Sequence, residues 1–297
     1  LSLSQLGLRD DDWRRLSEDI DAIVHNGARV NYVLSYDALR PYNVRSTGEL
    51  LRLAAAKRKK PFHLISSTFI HGWTARPVAA EHDYNAELEE LDFGYSQSKC
   101  VAEHLVLIAQ RHGHPVRIYR PTLISASSHR AGSRDDILVR MLAFMIKYGL
   151  GVEALNQTSI LPADVVSDHI ARIFLLKNTT STTFQITTSQ YYNMMDVTRI
   201  ISEQFGYSFT YMSLSRLIDE MNRLCTPDDL LYPLLGFFNR SYGKFKPMEP
   251  KRYDNRHYRA ALEQARPEIV EPEPSDTVAY IVKHMQREGL IEAPCLV

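Results

Sequence analysis

Tyr95 and Lys99 stand four residues apart in the segment GYSQSK, Gly94–Lys99. On a helix that spacing puts both side chains on one face. A phenol titrates near pH 10 and is a poor acid or base at neutrality. A neighbouring ammonium favours the phenolate and lowers that pKa, which makes proton exchange usable. Upstream, SSTFIHG (Ser66–Gly72) offers a third hydroxyl, assigned to Ser67, to hold a substrate oxygen beside the phenol. Such a set suits a carbonyl oxygen that gains a proton while its carbon gains a hydride.

Tyr-x-x-x-Lys alone is a weak signal, with about one chance match in a chain of this size. A second match occurs at Tyr242 and Lys246, in a basic, Pro-flanked segment without a preceding strand or hydroxyl cluster. Tyr95 instead opens a long amphipathic stretch, 28 residues after Ser67. Tyr95 is therefore the preferred member of the pair.

The elements around these residues alternate. Asp10–Asp12 with WRRLSEDI predicts a helix with acidic residues in its first turn. AIVHNGA (Ala22–Ala28) predicts a short buried strand, and residues 43–57 a helix ending in the cations Lys57–Lys60. FHLIS (Phe62–Ser66) and VRIY (Val116–Tyr119) predict strands, the second stopped by Pro121. Between them Tyr95–Gln110 predicts a helix closed by Gly113 and Pro115. Helices follow at 135–149 and 163–176, then a strand at Thr183–Thr188. From Asn193 helices dominate, and Ser275 is expected to cap the last one. Strand–helix–strand alternation implies parallel strands with crossover helices.

In this order the segments resemble the extended short-chain dehydrogenase/reductases. Within them they are most similar to the thioester reductase domains of nonribosomal peptide synthetases, aminoadipate reductases and carboxylic acid reductases. The resemblance is carried by residues 20–54 (including HNGA and NVRST), by FHLISS, by GYSQSKCVAEHL, by YRPTLISASS, by LPADVVSDHIARI and by DDLLYPLL. It implies a Rossmann-like, doubly wound α/β fold. Residues 1–190 would form a partial NAD(P)-binding domain, with 125–160 contributing to the substrate cleft. Residues 191–297 would form a mostly helical substrate-binding region.

Carried over by position, the resemblance makes Tyr95 the proton donor, Ser67 the oxyanion stabiliser, and Lys99 both the tuner of Tyr95 and a ligand of the nicotinamide ribose. Asn26, Gly27 and Ala28 would lie along the cofactor, and Pro121, Thr122 and Leu123 near the nicotinamide. The implied cofactor is NADPH, and the implied partner is a phosphopantetheinylated carrier protein bearing an acyl or peptidyl thioester. Hydride attack would give a hemithioacetal, which expels thiol and leaves an aldehyde, reduced further to an alcohol in some relatives. Ser67 stands where these reductases usually have Thr, and Thr122 where many have Gly. No Gly-rich phosphate turn precedes AIVHNGA, so roughly the first three β/α units are expected outside this sequence. The segment that separates NADP from NAD is absent with them. Three other readings stay open: a non-redox cyclising release domain, another extended reductase or epimerase, and a non-catalytic docking module.

Other features have plainer explanations. Lys57–Lys60 would complement a helix end rather than steer an acidic partner. His112 and His114 sit in a Gly/Pro turn without an acidic neighbour, so no metal site is expected. His25 is expected to be packed or cofactor-adjacent, Asp164 a helix N-cap, and Cys100 an inert helix residue. YYNMM (Tyr191–Met195) would line the cleft or join helices. The chain has 35 Lys+Arg against 35 Asp+Glu, which argues against a nucleic-acid or polybasic membrane binder. No apolar run approaches the roughly 20 residues of a bilayer span. Cys100, Cys225 and Cys295 form no CxxC pair, which fits a reducing, cytoplasmic setting.

Overall fold

The computed structural model describes residues 1–72, 78–83, 91, 93–129, 131–154, 157–179, 181–245, 252–265 and 271–294. Along the first half run α1 (Asp10–Asp19), β1 (Ile23–His25), α2 (Tyr36–Arg40), α3 (Ser46–Ala55), β2 (Phe62–Ile65), β3 (Val78–Ala79) and α4 (Gly94–Arg111). Next come β4 (Val116–Pro121), β5 (Leu123–Ser125), α5 (Ile137–Tyr148), β6 (Leu150–Glu153), β7 (Ile160–Pro162), α6 (Ala163–Leu175) and β8 (Thr183–Ile186). The C-terminal region holds α7 (Met194–Phe205), β9 (Thr210–Ser213), α8 (Leu214–Leu224), α9 (Leu235–Phe245), β10 (Arg252–Tyr253), α10 (Arg256–Ala265) and α11 (Pro274–Arg287).

Four strands form the central sheet in the order β1-β2-β4-β8, all parallel. Strand side chains alternate between faces. Ile23, Phe62, Leu64 and Ile118 pack on α3 and α4, with Trp13 and Leu16 of α1 at the margin. Tyr119, Phe184 and Ile186 face the other way, onto Val165, Val166 and Ile173 of α6 and Tyr258 and Leu262 of α10. Helices thus cover both faces, as the doubly wound expectation required. A separate, larger core joins α5, α7, α8, α9 and α11, and it includes Phe93 and Tyr95.

The cations after α3 are used locally. Lys60 Nζ donates to Ala56 O at 2.8 Å and Leu53 O at 3.4 Å, at the end of α3. Lys59 Nζ donates to Gly113 O at 3.1 Å, just past α4. Arg58 Nη2 donates to Ile20 O at 2.9 Å, past α1. Three neighbouring cations therefore meet three helix C-termini, where the macrodipole is negative and carbonyls are unpaired.

Some sequence expectations need correction. Val24 is 51% exposed while Ile23 and His25 are buried, so this strand is not buried on both faces. The helix expected from residue 43 begins earlier, at Tyr36, and passes through a π-helical turn at Pro41–Arg45. Pro41 has no N–H to donate, which interrupts the α ladder there. Ser275 lies inside the first turn of α11, and Glu273 is its N-cap, with Pro274 at the first helical position. Asp164 follows the N-cap Pro162 of α6 and accepts from Ser128 N at 3.2 Å. The short pairs β3–β10, β5–β7 and β6–β9 went unanticipated. Lys246 and Cys295 lie outside the described residues.

One buried ion pair spans the layers. Arg120, at 0% exposure, meets Glu103 of α4 at 2.7 Å and donates to Glu81 O and Asp83 O at 3.0 and 3.2 Å. Arg120→Met strands the Glu103 carboxylate in a dry interior, so unfolding free energy should drop by about 3–5 kcal/mol. Chemical denaturation checks this; a loss below about 1 kcal/mol contradicts the clamp.

Candidate active site

Lys99 and Ser67 lie at the C-terminal end of β2, where parallel α/β sheets form their sites, and Tyr95 lies one turn before Lys99 on α4. Lys99 Nζ donates to Ile65 O at 2.6 Å, and Ile65 is the last residue of β2. Ser67 follows two residues later and caps a 3-10 turn, Thr68–His71, by accepting from Phe69 N at 3.2 Å. Tyr95 lies one turn before Lys99 on the same face of α4. Edge-on contact of the Phe69 and Phe93 rings, 5.5 Å between centroids, joins the Ser67 turn to the start of α4.

The position of Tyr95 rests on two backbone devices. A Cβ on Gly94 would sit 2.4 Å from Ser35 C and Tyr36 N, so only glycine allows α4 to start against the N-terminus of α2. Asn43 supplies the second. Its Oδ1 accepts from Arg29 N at 2.7 Å, and its Nδ2 donates to Ser98 Oγ at 2.9 Å. Ser98 Oγ in turn donates to Tyr95 O at 2.7 Å. Sequence reasoning passed over Asn43 as a site residue, although it opens the NVRST segment; an asparagine at a helix start has too many ordinary uses to stand out.

Burial governs the electrostatics. Lys99 is 4% exposed, and desolvation lowers its pKa to about 8 against the opposing pull of Glu103. Tyr95 is 7% exposed, and burial pushes its phenol up to about 12. The expected lowering of Tyr95 by Lys99 is therefore overturned by desolvation: the phenol stays protonated at neutral pH. Tyr32 packs edge-on to Tyr95 with 6.0 Å between centroids, and its own pKa is raised by burial, then by Tyr95 and Asp136. His25 bonds to Thr47 Oγ1 at 3.0 Å. Burial, then Lys99, lowers it to about 4, so it is a neutral packed group. Burial pushes Cys100 up to about 11, so it remains a thiol.

Asn26 is exposed at the end of β1, while Gly27 and Ala28 are half-buried. Pro121 ends β4 paired with Ile186. Thr122 Oγ1 donates to Ser159 O at 2.6 Å, so its hydroxyl holds a neighbouring loop. Thr122 and Leu123 line a cavity of about 260 Å³ together with Thr68, Phe69 and Phe93. Met194, in YYNMM, lines it too. His114 Nε2 is engaged with Lys60 O at 2.8 Å, far from any role here. Tyr242 is half-buried in the helical core.

A nicotinamide ribose fits the donors present. An ammonium has three N–H groups, and among the described residues Lys99 uses one, on Ile65 O. Two N–H groups would then be left to donate to ribose hydroxyls.

Residues 1–170 match the NAD-binding family described as male sterility protein. The chain belongs to this family. The male sterility family match takes in strands β1, β2 and β4 of the central sheet, together with Ser67, Tyr95 and Lys99. The chain is 35% identical over 190 residues to a linear gramicidin synthase polypeptide of Brevibacillus parabrevis, covering 63% of this chain and 4% of that protein. It is 34% identical over 181 residues to the L-2-aminoadipate reductase large subunit of Candida glabrata, covering 56% of this chain and 13% of that protein. It thus spans a small part of the length of these relatives. Among solved structures, the terminal R domain of the myxalamid PKS-NRPS pathway superposes with a TM-score of 0.90 at 28% identity. That match covers 99% of this chain and 75% of the other.

A neutral buried histidine stabilises the fold only while it stays neutral. His25 and His63 both fall from 6.5 to about 4 on burial. The unfolded chain therefore binds more protons between those values, and stability is lost as pH falls from about 6.5 toward 4. Thermal melts across that window should show Tm dropping, and His25→Asn should flatten the slope. An unchanged slope in the variant removes His25 from the account.

Proposed function

We propose that this chain performs NADPH-dependent reductive release of an acyl or peptidyl thioester from a carrier protein, yielding an aldehyde. The observation that carries the reading is the Lys99 contact with Ile65 O, which ties α4 to the end of β2 two residues before Ser67, in a chain similar to a gramicidin synthase and to aminoadipate reductases. On this reading it acts in the cytoplasm, as the terminal domain of a nonribosomal peptide synthetase or related megasynthase. Residues 125–160 and 191–297 together form the substrate cleft, which fits the cavity walls supplied by α5, α7 and α9.

When bound, NADPH supplies the hydride that reduces the thioester carbonyl carbon. Lys99 would hold the ribose, and Asn26, Gly27, Ala28, Pro121, Thr122 and Leu123 would help hold the rest of the cofactor. Ser67 Oγ donates to the carbonyl oxygen as negative charge grows there. Tyr95, protonated at neutral pH, delivers its proton to that oxygen and leaves a hemithioacetal. In the collapse of this adduct the hydroxyl gives up its proton, the C=O forms, the C–S bond breaks and the departing sulfur takes up a proton, which frees the aldehyde and the pantetheine thiol. The Lys99 ammonium stabilises the Tyr95 phenolate left behind until solvent reprotonates it.

Tyr95→Phe should lower NADPH-dependent reduction of a synthetic pantetheine thioester by at least about 100-fold. Unchanged turnover in that variant would falsify the role of Tyr95, and Tyr242→Phe serves as the control. Because Lys99 loses its proton near pH 8, kcat/KM should fall as pH rises through about 8. A profile flat well beyond that pH contradicts an ammonium requirement.

A further inference from the structure

A second cavity lies outside the reaction centre. It has a volume of about 440 Å³ and opens between α3 and α4. Arg40, Arg45, Gly48, Glu49 and Arg52 line one side, and Leu105 of α4 lines the other. Ser67, Tyr95 and Lys99 take no part in it.

Local geometry explains why three arginines meet here. Arg45 and Arg52 are seven residues apart, two turns along one helix face. Arg40 precedes Arg45 by five residues, a step that on a regular α-helix would turn it about 140° away. The π-helical turn Pro41–Arg45 bonds i to i+5, so a five-residue step there closes roughly one turn. The interruption at Pro41 thus brings Arg40 into line with the other two.

Charge in this groove is unbalanced. Arg52 Nη1 donates to both Glu49 oxygens, at 3.1 and 3.0 Å, and Glu49 Oε2 also accepts from Gln5 N at 2.9 Å. That carboxylate is already engaged. Arg40 and Arg45 are exposed, and among the described residues none accepts from either guanidinium. Three guanidiniums therefore face one carboxylate, in a chain whose overall charge is balanced at 35 against 35.

The α4 side is apolar. Leu105 is half-buried, and Ile108, one turn further along, is 46% exposed. A Cβ on Gly48 would meet nothing within 4 Å, so the groove is open along its middle. Two solvated guanidiniums alone hold a free anion weakly. An apolar ridge beside arginines suits a larger partner: an amphipathic helix, with its apolar edge on the ridge and its carboxylates against the cations. Position agrees with this. Leu105 lies six residues beyond Lys99, about 9 Å along α4 and about a third of a revolution from the Lys99 face. A partner seated there is near the reaction face and leaves it uncovered.

We propose that the groove between α3 and α4 docks the carrier protein, through an acidic amphipathic helix whose carboxylates pair with Arg40 and Arg45 and whose apolar residues rest on Leu105 and Ile108. This rests on the reductase reading above and gives its partner a place on the surface.

The test uses the full-length protein, with the phosphopantetheinylated carrier protein added separately. The same acyl group is supplied on the carrier and as a free pantetheine thioester. Arg40→Glu with Arg45→Glu should lower kcat/KM for the carrier-borne thioester at least about tenfold relative to the free one. Arg40→Lys with Arg45→Lys should retain most of that preference. Added salt should weaken carrier binding to the wild type, measured by calorimetry, and change it little in the Glu variant. Ile108→Asp should lower carrier affinity as well. An unmoved ratio in the Glu variant overturns the docking assignment, and reduction of both substrates by that protein leaves the reductase reading standing. No reduction of either thioester by the wild type rejects the reductase reading. Carrier binding that still depends on Arg40 and Arg45 then upholds the surface, and binding independent of them overturns it. A Glu variant that loses self-association while keeping its carrier affinity assigns the groove to a second copy of this chain and overturns the proposal.

Discussion

Much of this molecule hangs on the desolvated guanidinium of Arg120. An ion with no access to water must find its acceptors inside the protein. Arg120 finds them on α4, through Glu103, and on the segment after β3, through Glu81 O and Asp83 O. The Glu81 carboxylate continues the chain by accepting from Gln185 N, His257 N and Tyr258 N. Strands β4 and β8 are thereby fixed to α4 on one side of the sheet and to the start of α10 on the other. Glu103 also lies one turn beyond Lys99, and its charge holds the Lys99 pKa up against burial. The clamp and the reaction centre share one carboxylate.

That sharing explains the protonation pattern. Lys99 sits in surroundings dry enough to make its ammonium costly, yet Glu103 and Ile65 O retain it as a cation near neutrality. At Tyr95 burial prevails, and the phenol stays protonated. A protonated phenol one helical turn from a cation is the state that reduction of a carbonyl calls for. Had the phenol been drawn down by Lys99, as spacing alone suggested, it would be better suited to taking a proton than to giving one.

The legible parts of the fold were those written in local pattern. Strands β1, β2, β4 and β8 and helices α1, α4, α5 and α6 follow from apolar periodicity and from caps such as Gly113 and Gly149. The Tyr95/Lys99 pair was visible through its spacing, and Ser67 through its place after a strand. What stayed hidden depends on distant segments meeting. Gln157 and the α9 phenylalanines line one cavity although they are far apart in sequence. The π-helical turn needed the consequence of Pro41 to be followed into the preceding helix. The short strand pairs are too brief to leave a pattern. The pKa of Tyr95 depends on how much water the folded chain excludes, which no spacing rule records.

Gly94 separates two kinds of wall. On the Tyr95 side, α4 touches the start of α2 backbone to backbone, with no room even for a methyl group. Sequence change there would move the proton donor itself. On the cavity side the walls are side chains of α5 and α9, which meet the start of α4 through ring contacts and not through backbone. A lineage carrying this scaffold can therefore drift in what it accepts while its chemistry stays fixed. Divergence among its members should concentrate in α5, α9 and the loop around Gln157, and leave the Gly94 junction untouched.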